Sequence, residues 1–415
     1  MIVNIRTFYI LYCLSLIVTI DFRIYGFGFL NQNNIKPIRV YKNFQIEDIS
    51  NDGRLLLMYN TSSRGWRTTI PFEGIGNVKD DEHDNTSLKI LDSRSGTIVS
   101  TTPRELGTGF GSSNFIPNSD LIYIRGIPVD ESKYIDGVWD PNVNQIRKCF
   151  QYRTDEYQNT VFVDRSMVIG SHTMKSEKYS KERYKLFKMN LPECVPEIDG
   201  NAIPDEVEGG DVNMIFRGIR ISPSRDKFVY SNYKYVIERD VRSFNLENMI
   251  DLTKSSSETI NVINYTADGK YLILEYKWQR PDHSKVSGSS FTYSVGINDA
   301  HSFIEVRRFQ VEGGNNAGVS PDGKYLAIGS KKITKGIIGD TEKAVVTFYE
   351  VKTGEKVNEI GLKKGKEIRG DPFQADLRKI IFSPDGRFLY TATRDTYVWD
   401  FEEIRNPDTK EVNIK

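Results

Sequence analysis

The sequence of 415 residues contains few of the side chains from which metal centres are usually built. There are only four histidines and three cysteines, and the histidines (His83, His172, His283 and His301) lie far apart with no ligand spacing. Because zinc and similar sites need clustered His and Cys ligands, we expect no metal site. No cofactor is predicted either.

Charge of one sign is not in excess. Lysine and arginine total 56, aspartate and glutamate also total 56, and the formal net charge is zero. General binding to nucleic acid depends on a basic surplus that neutralises phosphates, so nucleic acid is not an expected partner. Hydrophobic residues make up 38% of the chain, enough for a sizeable core, which excludes disorder as the main state.

Long hydrophobic runs are missing after the amino terminus. Residues 7–20 form an apolar run of 14 residues without a charged side chain, which is shorter than the ~20 residues that span a bilayer as a helix. Such a run is typical of the central region of a secretory signal peptide. We therefore assign residues 1–30 as a signal peptide or an uncleaved anchor, and expect a secreted, periplasmic or cell-envelope protein. Membrane contact is expected only through this segment if it is not cleaved.

The cysteines give one candidate cross-link. If Cys13 is removed with the signal peptide, Cys149 and Cys194 remain as an even pair. A pair of this kind in an exported protein is a candidate disulfide, and two unpaired thiols are the alternative.

Sequence motifs of the common enzymes are also absent. The chain has no GxSxG, CxxCH, HExxH or P-loop sequence, each of which would mark a particular chemistry. The acidic stretch 80–84 lacks the spacing of an EF-hand calcium loop and is interpreted as a solvated loop. No catalytic residue is predicted.

One element recurs along the chain, an apolar strand followed by a tight polar turn and a second apolar strand. Proline or asparagine at the start of the turn and Asp-Gly at its end suit chain reversal, and the Val, Ile, Leu, Phe and Tyr that follow favour strands. The copies lie at 46–59, 114–126, 160–171, 219–232, 263–276, 318–330 and 381–393.

A second hairpin with a glycine-containing turn follows most copies, clearly at 88–100 and 345–360. Each unit therefore holds four strands in a meander. Seven such units predict an all-β, seven-bladed β-propeller of four-stranded antiparallel blades over residues 35–405, with a tail over 406–415. Because the third unit is degenerate, rings of six or eight blades remain alternatives.

The last unit supplies only three strands before the chain reaches its charged tail. Residues 35–41 precede the first unit and have strand character. We predict that this segment pairs with the last blade and closes the ring. A frayed terminal strand is the alternative.

The segments SPDGKYLAIGS (320–330) and SPDGRFLYTATRDTYVWD (383–400) resemble the WD40-like repeats of exported bacterial β-propellers. The turns in LDSRSGTIV (91–99) and EVKTGEKV (350–357) are similar to the outer hairpins of WD40 and quinoprotein-like propellers. The resemblance implies a fold and says little about function. It is incomplete, since the Gly-His start of a WD40 blade is missing, so the structural His–Asp networks of such blades are not expected.

Candidate binding residues come from the long connections between the second and third strands of units one, three, five and six. Two of these connections hold tryptophan near arginine, namely Arg64, Trp66 and Arg67 in the first, and Trp278 and Arg280 in the other. Tryptophan and arginine are the residues most enriched at the energetic centres of interfaces. Packing of each loop on its own blade is the alternative.

These observations favour a noncatalytic exported propeller that binds a protein or a small ligand on its loop-rich face. One alternative is an enzyme with a site in the axial funnel, either a lactonase-like hydrolase or a quinoprotein-like oxidoreductase. A structural subunit of the cell envelope is another. Three or more charged side chains converging in the funnel would favour the enzyme.

Overall fold

The fold is seen in a computed structural model, which contains seven antiparallel sheets. It describes residues 35–60, 88–103, 109–110, 113–127, 133–153, 159–173, 184–191, 194–201, 216–232, 234–252, 258–279, 291–311, 316–334, 341–362 and 377–406.

The sheets are the seven blades of a β-propeller, as the repeats predict, and the strands of each blade are called a to d from the axis outward. The first strand, β1 (Arg39–Tyr41), belongs to the last blade. Blade 1 holds β2 (Phe44–Ile49), β3 (Leu55–Asn60), β4 (Leu88–Asp92) and β5 (Ile98–Thr101). Blade 2 holds an inner strand in two pieces, β6 (Gly109–Phe110) and β7 (Asn114–Phe115), then β8 (Ile122–Ile127), β9 (Lys133–Asp140) and β10 (Gln145–Arg153).

Blades 3 to 7 repeat this order. Blade 3 holds β11 (Asn159–Phe162), β12 (Met167–Thr173), β13 (Tyr184–Asn190) and β14 (Val195–Asn201); blade 4 holds β15 (Phe216–Ile221), β16 (Lys227–Asn232), β17 (Tyr235–Asp240) and β18 (Leu246–Asp251). Blade 5 holds β19 (Glu258–Tyr265), β20 (Tyr271–Gln279), β21 (Phe291–Asp299) and β22 (Glu305–Val311); blade 6 holds β23 (Ala317–Val319), β24 (Tyr325–Thr334), β25 (Thr341–Glu350) and β26 (Lys356–Gly361). Blade 7 holds β27 (Lys379–Phe382), β28 (Phe388–Ala392) and β29 (Thr396–Asp400).

The ring closes where the two ends of the chain meet. Strand β1 pairs antiparallel with β29, with Arg39 opposite Val398 and Tyr41 opposite Thr396. The predicted closure by an N-terminal strand is confirmed. Regular pairing begins at Arg39 rather than at residue 35, although the Ile38 amide already donates to the Val398 carbonyl at 2.8 Å.

The core is divided into layers between neighbouring blades. Seven clusters of buried apolar side chains are found among the described residues, one at each of the seven blade interfaces. Successive strand residues point to opposite faces, so Leu56 packs towards blade 7 and Leu57 towards blade 2. Both faces of a blade are therefore buried, which explains the nearly continuous apolar runs of the second strands.

Two tryptophans pack between blades. Trp139 lies between blades 1 and 2 and donates its indole N–H to Asn144 Oδ1 at 3.1 Å. Trp399 lies between blades 6 and 7 and donates to Thr391 Oγ1 at 2.9 Å. Both side chains are essentially inaccessible, so neither is available to a ligand.

A short helix, α1 (Phe401–Arg405), follows the last strand, β29. Asp400 caps it by accepting a hydrogen bond from the Glu402 amide at 3.0 Å, a contact that satisfies a free N–H of the first turn. Phe401 and Ile404 are buried in the layer between blades 6 and 7. No helix among the described residues has the length and apolarity needed to cross a membrane.

The outer rim is held by a repeated contact that the sequence does not reveal. In five places a polar side chain on or next to the outer strand of one blade donates to a main-chain carbonyl at the outer edge of the next blade. The donors and acceptors are Arg39 to Ser93 at 2.6 Å, Ser100 to Pro141 at 3.3 Å, Arg147 to Leu191 at 2.7 Å, Asn248 to His301 at 3.3 Å, and Asn358 to Ile404 at 2.5 Å.

Candidate functional site

The two ends of the propeller differ in the length of the connections that they carry. In a four-stranded meander, the a–b and c–d turns lie on one face, here called the turn face. The b–c connections and the d–a connections between blades lie on the other, here called the loop face. Connections on the turn face are four residues (163–166) to six residues (116–121) long, whereas those on the loop face reach 17 residues (362–378) and 27 residues (61–87). Variable segments on a rigid scaffold are the usual location of binding function.

Of the five predicted binding residues, only Trp278 is described. Arg64, Trp66, Arg67 and Arg280 lie outside the described residues. Trp278 is on strand β20 near its loop-face end, opposite Glu258 and Thr292, and not in the connection that follows. Trp278 is 37% exposed, which leaves part of the indole surface available for contact.

A buried ion network lies on the same blade as Trp278. The Arg308 guanidinium is 2.7 Å from Glu258 Oε1 and 2.5 Å from Glu305 Oε2, and its side chain is only 12% exposed. Its central carbon lies 3.6 Å from the centre of the Tyr276 ring. Burial raises the pKa of Tyr276 to about 12, so its hydroxyl stays protonated and can donate to Asn298 Oδ1 at 3.2 Å.

Sequence reasoning missed this network because its members are distant in the chain, 50 residues apart in the case of Glu258 and Arg308. Only the register of the strands brings them to one face of blade 5. The single cation already has two carboxylate partners and an aromatic ring. Arg308 is therefore a structural connection across the blade, and its charge is not available to a bound anion.

Charged side chains also meet near the axis, on the innermost strands of blades 1 and 7. Glu47 Oε2 is 3.2 Å from Lys379 Nζ, and the Arg378 guanidinium is 3.5 Å from Gln45 Oε1. Both contacts join strands of different blades. The Glu47–Lys379 ion pair neutralises two of these charges between the blades, whereas the Arg378 guanidinium meets a neutral amide oxygen.

Asp48 connects the inner strands of blades 1 and 2. Its Oδ2 accepts a hydrogen bond from the Phe115 amide at 2.8 Å. Burial raises the pKa of Asp48 to about 6, against the opposing effects of the Ile49 and Phe115 amides and of Lys379. The position of Asp48 between two blades explains its raised pKa. Among the described residues, no group of three or more His, Cys, Asp or Glu side chains could hold a metal ion.

The aspartates of the repeated a–b turns are held in the turns themselves. Asp322 accepts hydrogen bonds from the Ser320 hydroxyl at 2.6 Å and from the Lys324 amide at 3.1 Å. Partial burial opposes these bonds, but together with the Lys324 charge they keep the pKa of Asp322 below its ordinary value. A carboxylate of this kind stays ionised and shapes the turn, as the sequence predicts.

Cys149 and Cys194 are brought together between blades 2 and 3. Their sulfur atoms are 2.02 Å apart and their Cα atoms 4.5 Å apart, within the range that a disulfide spans. Cys149 lies on the outer strand β10, and Cys194 lies in the turn before β14. The pairing considered from the sequence is therefore compatible with the fold, and the oxidation state of the pair remains a prediction.

No family model matches the sequence, and no curated protein is similar to it. Solved structures do share its fold. The β-propeller domain of Myceliophteria thermophila Cps50 (Swd1) is 11% identical with a TM-score of 0.54, and the match covers 88% of this chain and 99% of that one.

Two other structural neighbours are a lyase and a chain of a protein complex. An oligogalacturonate lyase in complex with manganese is 13% identical with a TM-score of 0.54, covering 87% of this chain and 90% of that one. A chain of a mitotic checkpoint complex is 11% identical with a TM-score of 0.53, covering 88% and 95%. At these identities the comparisons show the fold alone. The protein is a WD40-like seven-bladed β-propeller, and this fold carries both enzymes and components of protein assemblies.

Proposed function

We propose that this protein is a noncatalytic binding scaffold whose loop face recognises a protein partner. The observation that carries the proposal is the asymmetry between the two faces, because all the long connections leave from one end of a rigid ring. The described axial charges support a scaffold as well, since Glu47 and Asp48 are bonded to neighbouring blades. Neighbours of the same fold include a component of a protein assembly.

Trp278 is the described residue best placed to contribute to such an interface. It is exposed at the loop-face end of blade 5, and a tryptophan that becomes buried by a partner contributes a large apolar area. Ile304 offers a matched control. It lies on the turn face of the same blade and is 65% exposed.

The test is affinity capture from the native cell envelope with the full chain as bait. We expect a specific partner to bind the wild type and the Ile304→Ala variant, and to bind Trp278→Ala at least tenfold more weakly. A partner whose binding is weakened equally by both substitutions would contradict recognition by the loop face. Turnover of lactones or alcohols by the purified protein would contradict a noncatalytic role and favour an axial active site.

We also propose that the apolar run at residues 7–20 directs the chain out of the cytoplasm. Fractionation of cells that express the full chain with a C-terminal tag tests this step, together with the mass of the exported product. A product of full-length mass in the cytosolic fraction would contradict export.

A further inference from the structure

A groove of about 450 Å³ lies on the turn face where blades 7 and 1 meet. Its wall combines residues from the a–b turns of both blades, the c–d turn of blade 1 and the chain entering β1. Four arginines line it, namely Arg39, Arg54, Arg94 and Arg387. The chain as a whole has no net charge, so this grouping is a local concentration of cations.

The four arginines are not equally available to a ligand. Arg39 donates to the Ser93 and Arg94 carbonyls at 2.6 and 2.5 Å, and Arg54 forms an ion pair with Asp52 at 2.5 Å. Arg94 and Arg387 are exposed and form no ion pair with any described residue. These two guanidinium groups keep their donors free for an external anion.

The acidic residues of the groove are already used by their own turns. Asp52 accepts hydrogen bonds from the Ser50 hydroxyl and the Arg54 amide at 2.7 and 3.0 Å. Asp385 accepts them from the Ser383 hydroxyl and the Arg387 amide at 2.5 and 3.0 Å. The lining therefore carries two fixed aspartates against four arginines, an excess of positive charge.

The groove also has an apolar part. Ile38 is 53% exposed there, and the half-buried Phe388 also lines the wall, with its ring centre 5.0 Å from the central carbon of the Arg387 guanidinium. Tyr390 and Val398 line the groove as well but are buried. A bare inorganic anion would leave this surface uncovered, whereas an anion attached to an apolar body would cover it. Guanidinium groups bind phosphate and carboxylate oxygens through paired hydrogen bonds.

We propose that this groove binds an organic anion, a phosphate or carboxylate attached to an apolar group, with Arg94 and Arg387 holding the anion and Ile38 and Phe388 contacting the apolar group. The site lies on the face opposite the proposed partner surface and does not depend on it. Two sources provide this chemistry, a soluble organic phosphate and the head group of an anionic lipid.

The test uses phenyl phosphate as the soluble probe, with phenol and inorganic phosphate as partial probes, in calorimetric titrations of the full chain. The double variant Arg94→Gln/Arg387→Gln removes the two free cations. The matched control is Arg242→Gln/Lys324→Gln, which removes two cations at equivalent turn positions outside the groove. The Arg242 amide donates to Asp240 as the Arg94 amide donates to Asp92. Lys324 follows the glycine of its turn, as Arg387 does. A second arm measures sedimentation with phosphatidylcholine vesicles with and without phosphatidic acid.

We expect phenyl phosphate to bind more tightly than either partial probe, and its affinity to fall at least tenfold in Arg94→Gln/Arg387→Gln but not in the control pair. Binding only to vesicles with phosphatidic acid, with the same dependence on the two arginines, would support the site and assign it to a lipid head group. Absence of binding to every probe would overturn the proposal. An equal loss in both double variants would also overturn it, because it would reduce the effect to general surface charge.

Discussion

Replacing Gly218 with alanine is expected to destabilise the ring more than the same change in an ordinary turn. Gly218 lies in the irregular part of β15, where the pairing register with β16 shifts, and its φ is +63°. A Cβ atom there would be 2.6 Å from Asn261 Oδ1 and closer still to the main-chain carbonyl oxygen of Val262. Both groups belong to the inner strand of blade 5, so the added methyl would press against the neighbouring blade.

The expected loss of folding stability in Gly218→Ala has two parts. An alanine at positive φ costs about 1–2 kcal/mol relative to glycine, and overpacking against a rigid backbone costs typically 1–3 kcal/mol. We therefore expect Gly218→Ala to lower the free energy of unfolding by about 2–5 kcal/mol. The Val262 carbonyl is part of a paired strand, so it cannot move aside as the end of a flexible side chain would.

Gly386→Ala is the matched control, because Gly386 has a φ of +71° but its Cβ would meet only Pro321 at 3.6 Å or more. It should show the backbone cost alone, about 1–2 kcal/mol. The assay is equilibrium unfolding in urea followed by tryptophan fluorescence, with the buried Trp139 and Trp399 as reporters. If Gly218→Ala is as stable as Gly386→Ala, the close approach of blades 4 and 5 does not constrain the fold and the reasoning is refuted.

Three further predictions concern the axis, the cysteines and the closure. The folded pKa of Asp48 is about 6 against an ordinary 3.8, so its contribution to stability is complete below pH ~4 and is lost as the pH rises through ~6. The free energy of unfolding should fall by at most about 3 kcal/mol over this pH range, because the side chain is partly exposed. Asp48→Asn should abolish this fall. If urea unfolding of the variant has the same pH dependence as the wild type, the prediction is refuted. Intact mass should increase by about 2 Da on reduction if Cys149 and Cys194 are bonded, and alkylation of either of these two cysteines before reduction, located by peptide mapping, would disprove the bond. Arg39→Ala should lower the free energy of unfolding by about 1.5–3 kcal/mol through loss of its charged hydrogen bonds. The control Arg242→Ala, at an exposed position, should change it by less than about 0.5 kcal/mol. Equal effects of the two substitutions would argue against a role of Arg39 in ring closure.

The turns of the repeat were the most predictable part of the fold. Ser320 and Asp322 act within five residues, and their contacts depend on local geometry alone. The same backbone conformation also occurs without glycine, since Arg225 and Asn118 have φ of +61° and +56° at the corresponding turns. Those two copies are weak in sequence because they lack the Asp-Gly pair of the regular turn.

The candidate sites were much less predictable. The exposed position of Trp278 at the end of a strand follows from the register of β20, and the Glu258–Arg308 network follows from the alignment of the inner and outer strands of one blade. The groove beside Arg387 needs residues from both ends of the chain. No pattern of neighbouring residues in the sequence predicts which distant residues meet at such a site.

The amino-acid sequence alone determined the strand–turn repeat and predicted an N-terminal strand that completes the last blade. It favoured seven blades, and only the structure decided between this ring and rings of six or eight blades. These features depend on period-two apolar patterns and on turn residues that act over a few positions. Tertiary structure alone decided which charges are neutralised between blades, such as Glu47 by Lys379, and which remain free, such as Arg94 and Arg387. The physical reason is that electrostatic and packing partners in a closed ring are chosen by proximity between blades, and ring closure brings together residues more than 300 positions apart in the chain.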